Sequence, residues 1–238
     1  MPESNLADAV KKNMKYRLAI FDMDGTILDT LRDLADTMNH ALQVNGFPVR
    51  ALDEIRQFVG NGIGKLVERA VPDGTSEAEI KAVRQDFDKY YKEHCADTTC
   101  PYDGIPQLLS DLKANGCRVA VVSNKADYGV QELCERYFDG VFDAAVGERQ
   151  GIARKPSPDS VNEVLKLLNC SKEESVYIGD SDVDIDTAKN AGMDCIVVGW
   201  GFRDREFLFS KGAETYVTKP EEIFRIIAGS AKTASANQ

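Results

Sequence analysis

Four short stretches of this 238-residue chain carry side chains of the kinds that do chemistry. The first is Asp22-Met23-Asp24-Gly25-Thr26, two carboxylates two residues apart followed by a glycine and a hydroxyl. The second is Ser123-Asn124-Lys125, the third Arg154-Lys155, and the fourth Gly179-Asp180-Ser181 with Asp184 shortly after. Two acids so close at the mouth of a buried strand repel each other and cost stability unless something cationic neutralises them. Carboxylates, a hydroxyl beside helix N-terminal amides and a lysine together suit a hard divalent cation held next to a phosphate. Taken singly, each set has a plainer reading. Ser123 reads as a turn or capping residue and Lys155 as a solvated lysine. Asp182, Asp184 and Asp186 read as acids complementing a helix dipole, and for Asp182 and Asp186 that reading is kept.

The elements that must position these groups follow from the pattern of apolar residues. Leu18-Ala19-Ile20-Phe21 is a short buried run that ends in the first acidic set, and it reads as a strand. Leu31, Leu34, Ala35, Met38, Ala41 and Leu42 recur at helical spacing until Asn45-Gly46 and Pro48 stop them. Helical stretches over 52–59 and 65–71 flank Gly60-Asn61-Gly62-Ile63-Gly64. A capping box at Ser76 and Glu79 then opens a helix with Ile80, Val83, Phe87, Tyr90 and Tyr91 on one face. Residues 28–97 therefore form a helical bundle.

From there the rhythm alternates: helix 105–115, strand 117–122, helix 126–137, strand 142–146, helix 158–168, strand 175–178, helix 182–191, strands 194–198 and 215–217, helix 221–227. Alternation of this kind builds an α/β fold, a doubly wound parallel, Rossmann-like sheet, with the bundle as an inserted α-helical cap domain. The expected division is 1–27 and 98–238 as core and 28–97 as cap. In such a sheet ligands bind at the carboxyl ends of the strands, so all four sets face one crevice.

Composition excludes several classes. Apolar residues at 43% and charged residues at 29% are ordinary for a folded, water-soluble chain and rule out collagenous, disordered and disulfide-framework types. The 39 acids against 29 bases give a formal charge of −10, whose field repels nucleic acid and anionic membrane. Six scattered cysteines with no CxxC pair read as reduced core thiols. The polar stretch 1–15 lacks the apolar segment of a secretory signal, so a cytoplasmic location is expected. The tail from 229 to 238 is small and polar and reads as frayed. A homo-oligomer is left open. His40 and His94 read as structural or surface residues without a metal partner, and Trp200 as packing near the sheet end.

Asp22-Met23-Asp24-Gly25-Thr26, Ser123-Asn124, Lys155-Pro156 and Gly179-Asp180-Ser181-Asp182-Val183-Asp184, in that order and each after a strand, resemble the four motifs of the haloacid dehalogenase superfamily. The inserted helices resemble that family's small cap. Gly60-Asn61-Gly62, Arg154-Lys155-Pro156 and Gly199-Trp200-Gly201-Phe202 resemble its phosphoglycolate phosphatase branch. The resemblance implies a Mg²⁺-dependent phosphatase acting on a small phosphorylated metabolite, 2-phosphoglycolate first, through an aspartyl-phosphate. Asp22 would be the nucleophile and Asp24 the acid and base. Mg²⁺ would be held by Asp22, the Asp24 carbonyl and Asp180, with Asp184 behind. Thr26, Ser123, the Asn124 amide and Lys155 would clamp the phosphoryl oxygens. Asn61, Gly62 and Lys65 either reach over the crevice to a small anionic leaving group or form a plain turn.

The same resemblance admits a sugar phosphate or pyrophosphate phosphatase, or a β-phosphoglucomutase-like mutase. The dehalogenases themselves lack the acid at the position of Asp24 and use no metal. A receiver-like signalling phosphoacceptor shares the sheet, the Mg²⁺-bound Asp, the hydroxyl and the lysine, but gives no reason for the helical insertion.

Overall fold

The computed structural model describes residues 14–229; the readings made above for 1–13 and 230–238 lie outside them. β1 (Leu18–Phe21), buried throughout, runs at the centre of a six-stranded sheet. It pairs in parallel with β4 (Arg118–Ala126) on one side and β6 (Ser175–Gly179) on the other. β5 (Ala144–Glu148) extends the sheet beyond β4, and β7 (Asp194–Val198) and β8 (Tyr216–Val217) extend it beyond β6. The order is β5-β4-β1-β6-β7-β8, and every pairing is parallel. The register sets Phe21 opposite Val121 and Ile178, so the residues after all three strands emerge at one edge. The chain reverses its direction of travel across the sheet at β1, which makes this edge the switch point where α/β sheets take their ligands.

Alternation along the strands sorts side chains to two cores. Ala19 and Phe21 join Val119, Val121, Val176 and Ile178 on one face, while Leu18 and Ile20 join Ala120, Val122 and Tyr177 on the other. The second face is covered by helices 159–167 and 182–191. The first is continuous with the apolar stripes of the inserted helices through Leu34, Met38, Leu42, Phe87 and Tyr91.

Those inserted helices are α1 (Leu31–Val44), α2 (Leu52–Phe58), α3 (Gly62–Ala70) and α4 (Glu77–His94). α4 opens with the expected box, in which the Glu79 carboxylate accepts from the Ser76 N–H at 2.9 Å and the Ser76 hydroxyl accepts from the Glu79 N–H at 3.4 Å. α3 starts at Gly62, three residues earlier than expected, because Ile63, Leu66, Val67 and Ala70 form one buried stripe that draws the glycines into the helix. The remaining helices are α5 (Ile105–Ala114), α6 (Asp127–Phe138), α7 (Asp159–Leu167), α8 (Asp182–Ala191), α9 (Arg205–Ser210) and α10 (Pro220–Ile227). The six-residue α9 and the ribbon described next had no signal in the apolar pattern.

The chain passes to the helices and back through a two-stranded antiparallel ribbon, β2 (Leu28–Asp29) against β3 (Cys100–Pro101). Just beyond it, buried Asp33 of α1 accepts four backbone and hydroxyl donors, Thr98 N and Oγ1 and Thr99 N and Oγ1, at 2.5–3.1 Å. Burial pushes this carboxyl up, but the Thr98 and Thr99 donors outweigh it and hold it below its ordinary range. Asp33→Ala should lower the unfolding free energy by about 3 kcal/mol, since each stranded donor costs roughly 1–3 kcal/mol. A group with a depressed folded value contributes its stability above the ordinary carboxylate range and loses it as pH falls through the folded value. The urea midpoints of wild type and variant should therefore differ at pH 7 and converge in acid. A gap that persists in acid would show that the charge of Asp33 is not what holds Thr98 and Thr99.

No helix among the described residues is long and apolar enough to cross a membrane, and the six cysteines are all free thiols.

Candidate active site

The turn after β1 is closed by its own backbone, with Gly25 N–H donating to Leu28 O and Thr26 N–H to Met23 O. Gly25 is needed there twice over. Its φ is +82°, and a Cβ would lie 2.4 Å from Asp180 Oδ2. The turn thus sets Asp22 beside Asp180 and leaves no room for a side chain at Gly25. Asp180 follows β6, and its Oδ2 accepts from the Phe202 N–H at 2.6 Å. Asp184, fully buried in the first turn of α8, accepts from Asp180 N, Ser181 N and Ser181 Oγ.

β4 runs past the expected end at 122 and takes in Ser123, Asn124 and Lys125. Val122 is in register with Val146 and Ala126 with Glu148, so four steps on β4 match two on β5. A bulge of this kind turns side chains that would alternate across a sheet toward its end. Gly147 makes room for it, since a Cβ there would meet the Lys125 carbonyl at 2.7 Å. Asn124 uses its side chain to bracket Lys155, accepting from the Lys155 N–H at 2.8 Å and donating to the Lys155 carbonyl at 3.1 Å.

Lys155 is buried between two acids, 2.9 Å from Asp22 Oδ1 and 2.8 Å from Asp184 Oδ1. Carboxylate oxygens of Asp22, Asp180 and Asp184 lie within 4.8 Å of one another. Burial raises the Asp22 carboxyl to about 7; Lys155 offsets part of this, while Asp184 and Asp24 add to it. Asp180 is raised well above its ordinary range by burial first, then by Asp184 and Asp22. Burial alone would lower the Lys155 ammonium, but Asp184 and Asp22 outweigh it and hold the proton firmly. Fully ionised, three buried carboxylates against one ammonium would leave two negative charges unmatched, which is why the Asp22 and Asp180 carboxyls are pushed up, and this set of hard oxygen donors fits a divalent cation. Thr26 Oγ1 is buried without a partner among the described residues, a free hydroxyl beside the acidic turn.

A second lysine was named in the sequence without a role. Lys125, nearly as buried as Lys155, lies 3.0 Å from Asp24 Oδ1 and donates to the Tyr91 hydroxyl at 2.6 Å. Tyr91 comes from α4, where its apolar spacing disguised it as a core residue, so an inserted helix reaches the acidic turn through one lysine. Burial would lower the Lys125 ammonium, yet Asp24 and Tyr91 hold it above its ordinary range.

Above these groups lies a cavity walled by Leu34, Val59, Gly60, Gly62, Ile63 and Leu66 of the inserted helices and by Phe202 and Arg203 after β7. Of the three cap residues singled out in the sequence, Gly62 lines it and Asn61 and Lys65 do not. Asn61 stands at the residue before α3, where its Oδ1 accepts from Arg69 and not from the helix backbone, while Lys65 is exposed and paired with Glu68. The reason is the early start of α3, which turns Ile63 and Leu66 inward and leaves Lys65 on the outer face. Arg203, which no motif announced, supplies the positive charge on this wall. The two histidines stack at 3.9 and 4.0 Å on either face of Tyr90, away from the cavity, and Trp200 packs near Tyr102 with its Nε1–H on the Thr26 carbonyl.

The chain is similar to known proteins of one family. The model of the haloacid dehalogenase-like hydrolases matches residues 19–198. A phosphoglycolate phosphatase of Aquifex aeolicus is 33% identical over 191 residues, 78% of this chain and 86% of its own length. An N-acetylmuramic acid 6-phosphate phosphatase of Pseudomonas aeruginosa is 28% identical over 218 residues, 91% of this chain and 96% of its own. Among solved structures, a candidate phosphoglycolate phosphatase from Lactobacillus delbrueckii subsp. bulgaricus superposes with a TM-score of 0.86 at 39% identity, covering 90% of this chain and 99% of that one.

Proposed function

We propose, from the premise that this chain belongs to the haloacid dehalogenase-like hydrolase family and is a phosphoric monoester hydrolase, that its substrate is a small phosphorylated hydroxy acid, 2-phosphoglycolate first. The observation that carries the chemistry is the Lys155 ammonium 2.9 Å from Asp22 in the crevice that also holds Asp24. The Asp22 carboxylate attacks phosphorus, and the P–O bond to the alcohol breaks as Asp24 gives that oxygen its proton. Asp24, now a carboxylate faced by Lys125, takes a proton from water as the water attacks the aspartyl-phosphate. Phosphate leaves and Asp22 is regenerated. Lys155, Ser123, the Asn124 amide and Thr26 hold the phosphoryl oxygens throughout, so most of the rate enhancement is positioning and fixed charge.

Asp22, Asp180, the Asp24 carbonyl and, behind them, Asp184 are the residues that would hold Mg²⁺. Bound there, it supplies the positive charge that lets an anion approach a phosphate dianion. In this reading residues 28–97 act as a cap over the core formed by 1–27 and 98–238, and the free thiols suit the cytoplasm.

The relative that acts on N-acetylmuramic acid 6-phosphate supports a second substrate. Both compounds pair a phosphate monoester with a carboxylate. The expected result of a Mg²⁺-supplemented screen is a higher kcat/KM for 2-phosphoglycolate than for N-acetylmuramic acid 6-phosphate, neutral sugar phosphates and pyrophosphate, with loss of all turnover in EDTA. A neutral sugar phosphate at the head of that ranking would remove the hydroxy-acid reading, and undiminished turnover in EDTA would remove the cation.

A further inference from the structure

Among the described residues three cations line the cavity, and two of them have a carboxylate within 3.0 Å. Lys155 sits between Asp22 and Asp184, and Lys125 between Asp24 and Tyr91. Arg203 is the third, its side chain 13% exposed and its closest carboxylate, Asp182, 3.8 Å away and outside hydrogen-bond reach. The two N–H groups it commits go to neutral acceptors at the C-terminal end of α2, Nη1 to the Arg56 carbonyl at 2.9 Å and Nη2 to the Val59 carbonyl at 2.6 Å. A guanidinium has five N–H donors, so three remain. The cavity wall carries the apolar Leu34, Val59, Ile63, Leu66 and Phe202 together with Asp180 and Ser181, and the Arg203 charge acts on Asp180 as well as on Asp182 at 3.8 Å. Those acids offset part of the charge without accepting its hydrogen bonds, so the three free N–H donors stay available to an incoming carboxylate.

We propose that Arg203 is the residue that selects the leaving group, taking the carboxylate of a phosphorylated hydroxy acid while the phosphoryl group lies among Asp22, Ser123 and Lys155. This rests on the phosphatase reading above and assigns its specificity to the loop after β7, not to Lys65 of α3. Arginine suits the task because its planar fork meets both oxygens of a carboxylate at once.

The fork is aimed by the inserted helices. Arg56 of α2 returns the contact, donating from Nε to the Phe202 carbonyl at 2.8 Å and from Nη2 to Asp204 at 2.6 Å. Each arginine is thus held by backbone on the other's side, and the plane of Arg203 is set only when α2 is docked. The residue before it, Phe202, donates its N–H to Asp180, so the carboxylate reader and the cation site share one short loop.

The test compares ester pairs that differ by a carboxylate: 2-phosphoglycolate against ethyl phosphate, and N-acetylmuramic acid 6-phosphate against N-acetylglucosamine 6-phosphate. Arg203→Gln should lower kcat/KM for the preferred acid of the two roughly 10- to 100-fold, mostly through KM. Its carboxylate-free counterpart should change by less than about threefold, and Arg203→Lys should restore part of the loss. Should Arg203→Gln fail to fold, Arg203→Lys carries the test with a smaller loss confined to the acid. Equal losses on both members of a pair would overturn the proposal and leave Arg203 as a docking contact. So would a selective loss in Lys65→Ala with none at Arg203. A wild type that prefers neither acid over its counterpart would remove the substrate reading itself, and that result is distinct from the others because it needs no variant.

Discussion

Asp22→Asn is expected to lower turnover of every phosphate monoester by about 10⁴-fold or more, the loss that follows removal of a nucleophile. The amide keeps the shape of the carboxylate beside Lys155 but has no charge with which to attack phosphorus. Stability should move the other way. In the metal-free protein burial raises the Asp22 carboxyl to about 7, whereas in the unfolded chain it titrates near 3.8. The folded state therefore binds the extra proton between these values, and stability falls as pH rises from the lower to the higher. An asparagine carries no such penalty. In EDTA the variant should melt above wild type at pH 8 and close to it near pH 4, and Mg²⁺ should stabilise wild type more than the variant. Calorimetry at the two pH values and steady-state kinetics give both readouts. Turnover of even a few per cent would require another nucleophile, and equal melting temperatures in EDTA at pH 8 would mean that the crowded carboxylates cost the fold nothing.

Asp24→Asn should slow hydrolysis of alkyl phosphates by roughly 10²- to 10⁴-fold, the usual contribution of a positioned acid and base. The loss depends on the leaving group. An alkoxide such as that of glycolate needs the proton that Asp24 delivers, while p-nitrophenolate departs without it. With p-nitrophenyl phosphate the variant should release about one equivalent of phenolate quickly and then stall, because the water that must open the aspartyl-phosphate has lost its base. Acid quenching should trap phosphate on the protein at that stage. Slow release of phenolate without a burst, and no trapped phosphate, would sever Asp24 from the second half of the reaction. The substitution also leaves buried Lys125 with Tyr91 alone, so a fall in stability of about 3 kcal/mol is expected alongside the kinetics.

The sheet and its crevice were legible because each strand is a short apolar run and each run ends in polar residues that no core would take. Leu18-Ala19-Ile20-Phe21 followed by Asp22 is the plainest case. Parallel pairing then brings the strand ends together whatever their separation along the chain. What stayed hidden depends on partners far away in sequence. The bulge that turns Ser123, Asn124 and Lys125 toward the crevice requires Gly147 on the neighbouring strand. The ribbon is two residues a side, too short to show alternation. Arg56 and Arg203 stand 147 residues apart, and neither has a local pattern. The start of α3 is hidden because Gly62 and Gly64 locally punctuate the chain ahead of Lys65, whereas the stripe of Ile63, Leu66, Val67 and Ala70 carries the helix through them and sets Lys65 on its outer face.

The ribbon also makes the chain leave the sheet and rejoin it at one place. Asp29 and Cys100 face each other across it, so the ends of a seventy-residue excursion stand one strand spacing apart, about 5 Å. A two-residue turn such as Asn-Gly spans that gap as an ordinary hairpin. The two strand ends therefore stay one spacing apart whatever length of chain joins them, although the sheet face beneath is covered by Leu34, Met38, Phe87 and Tyr91 of the helices. A replacement would still have to supply what the helices give the core, because Tyr91 of α4 holds Lys125 beside Asp24 and Arg56 of α2 holds the loop that carries Arg203.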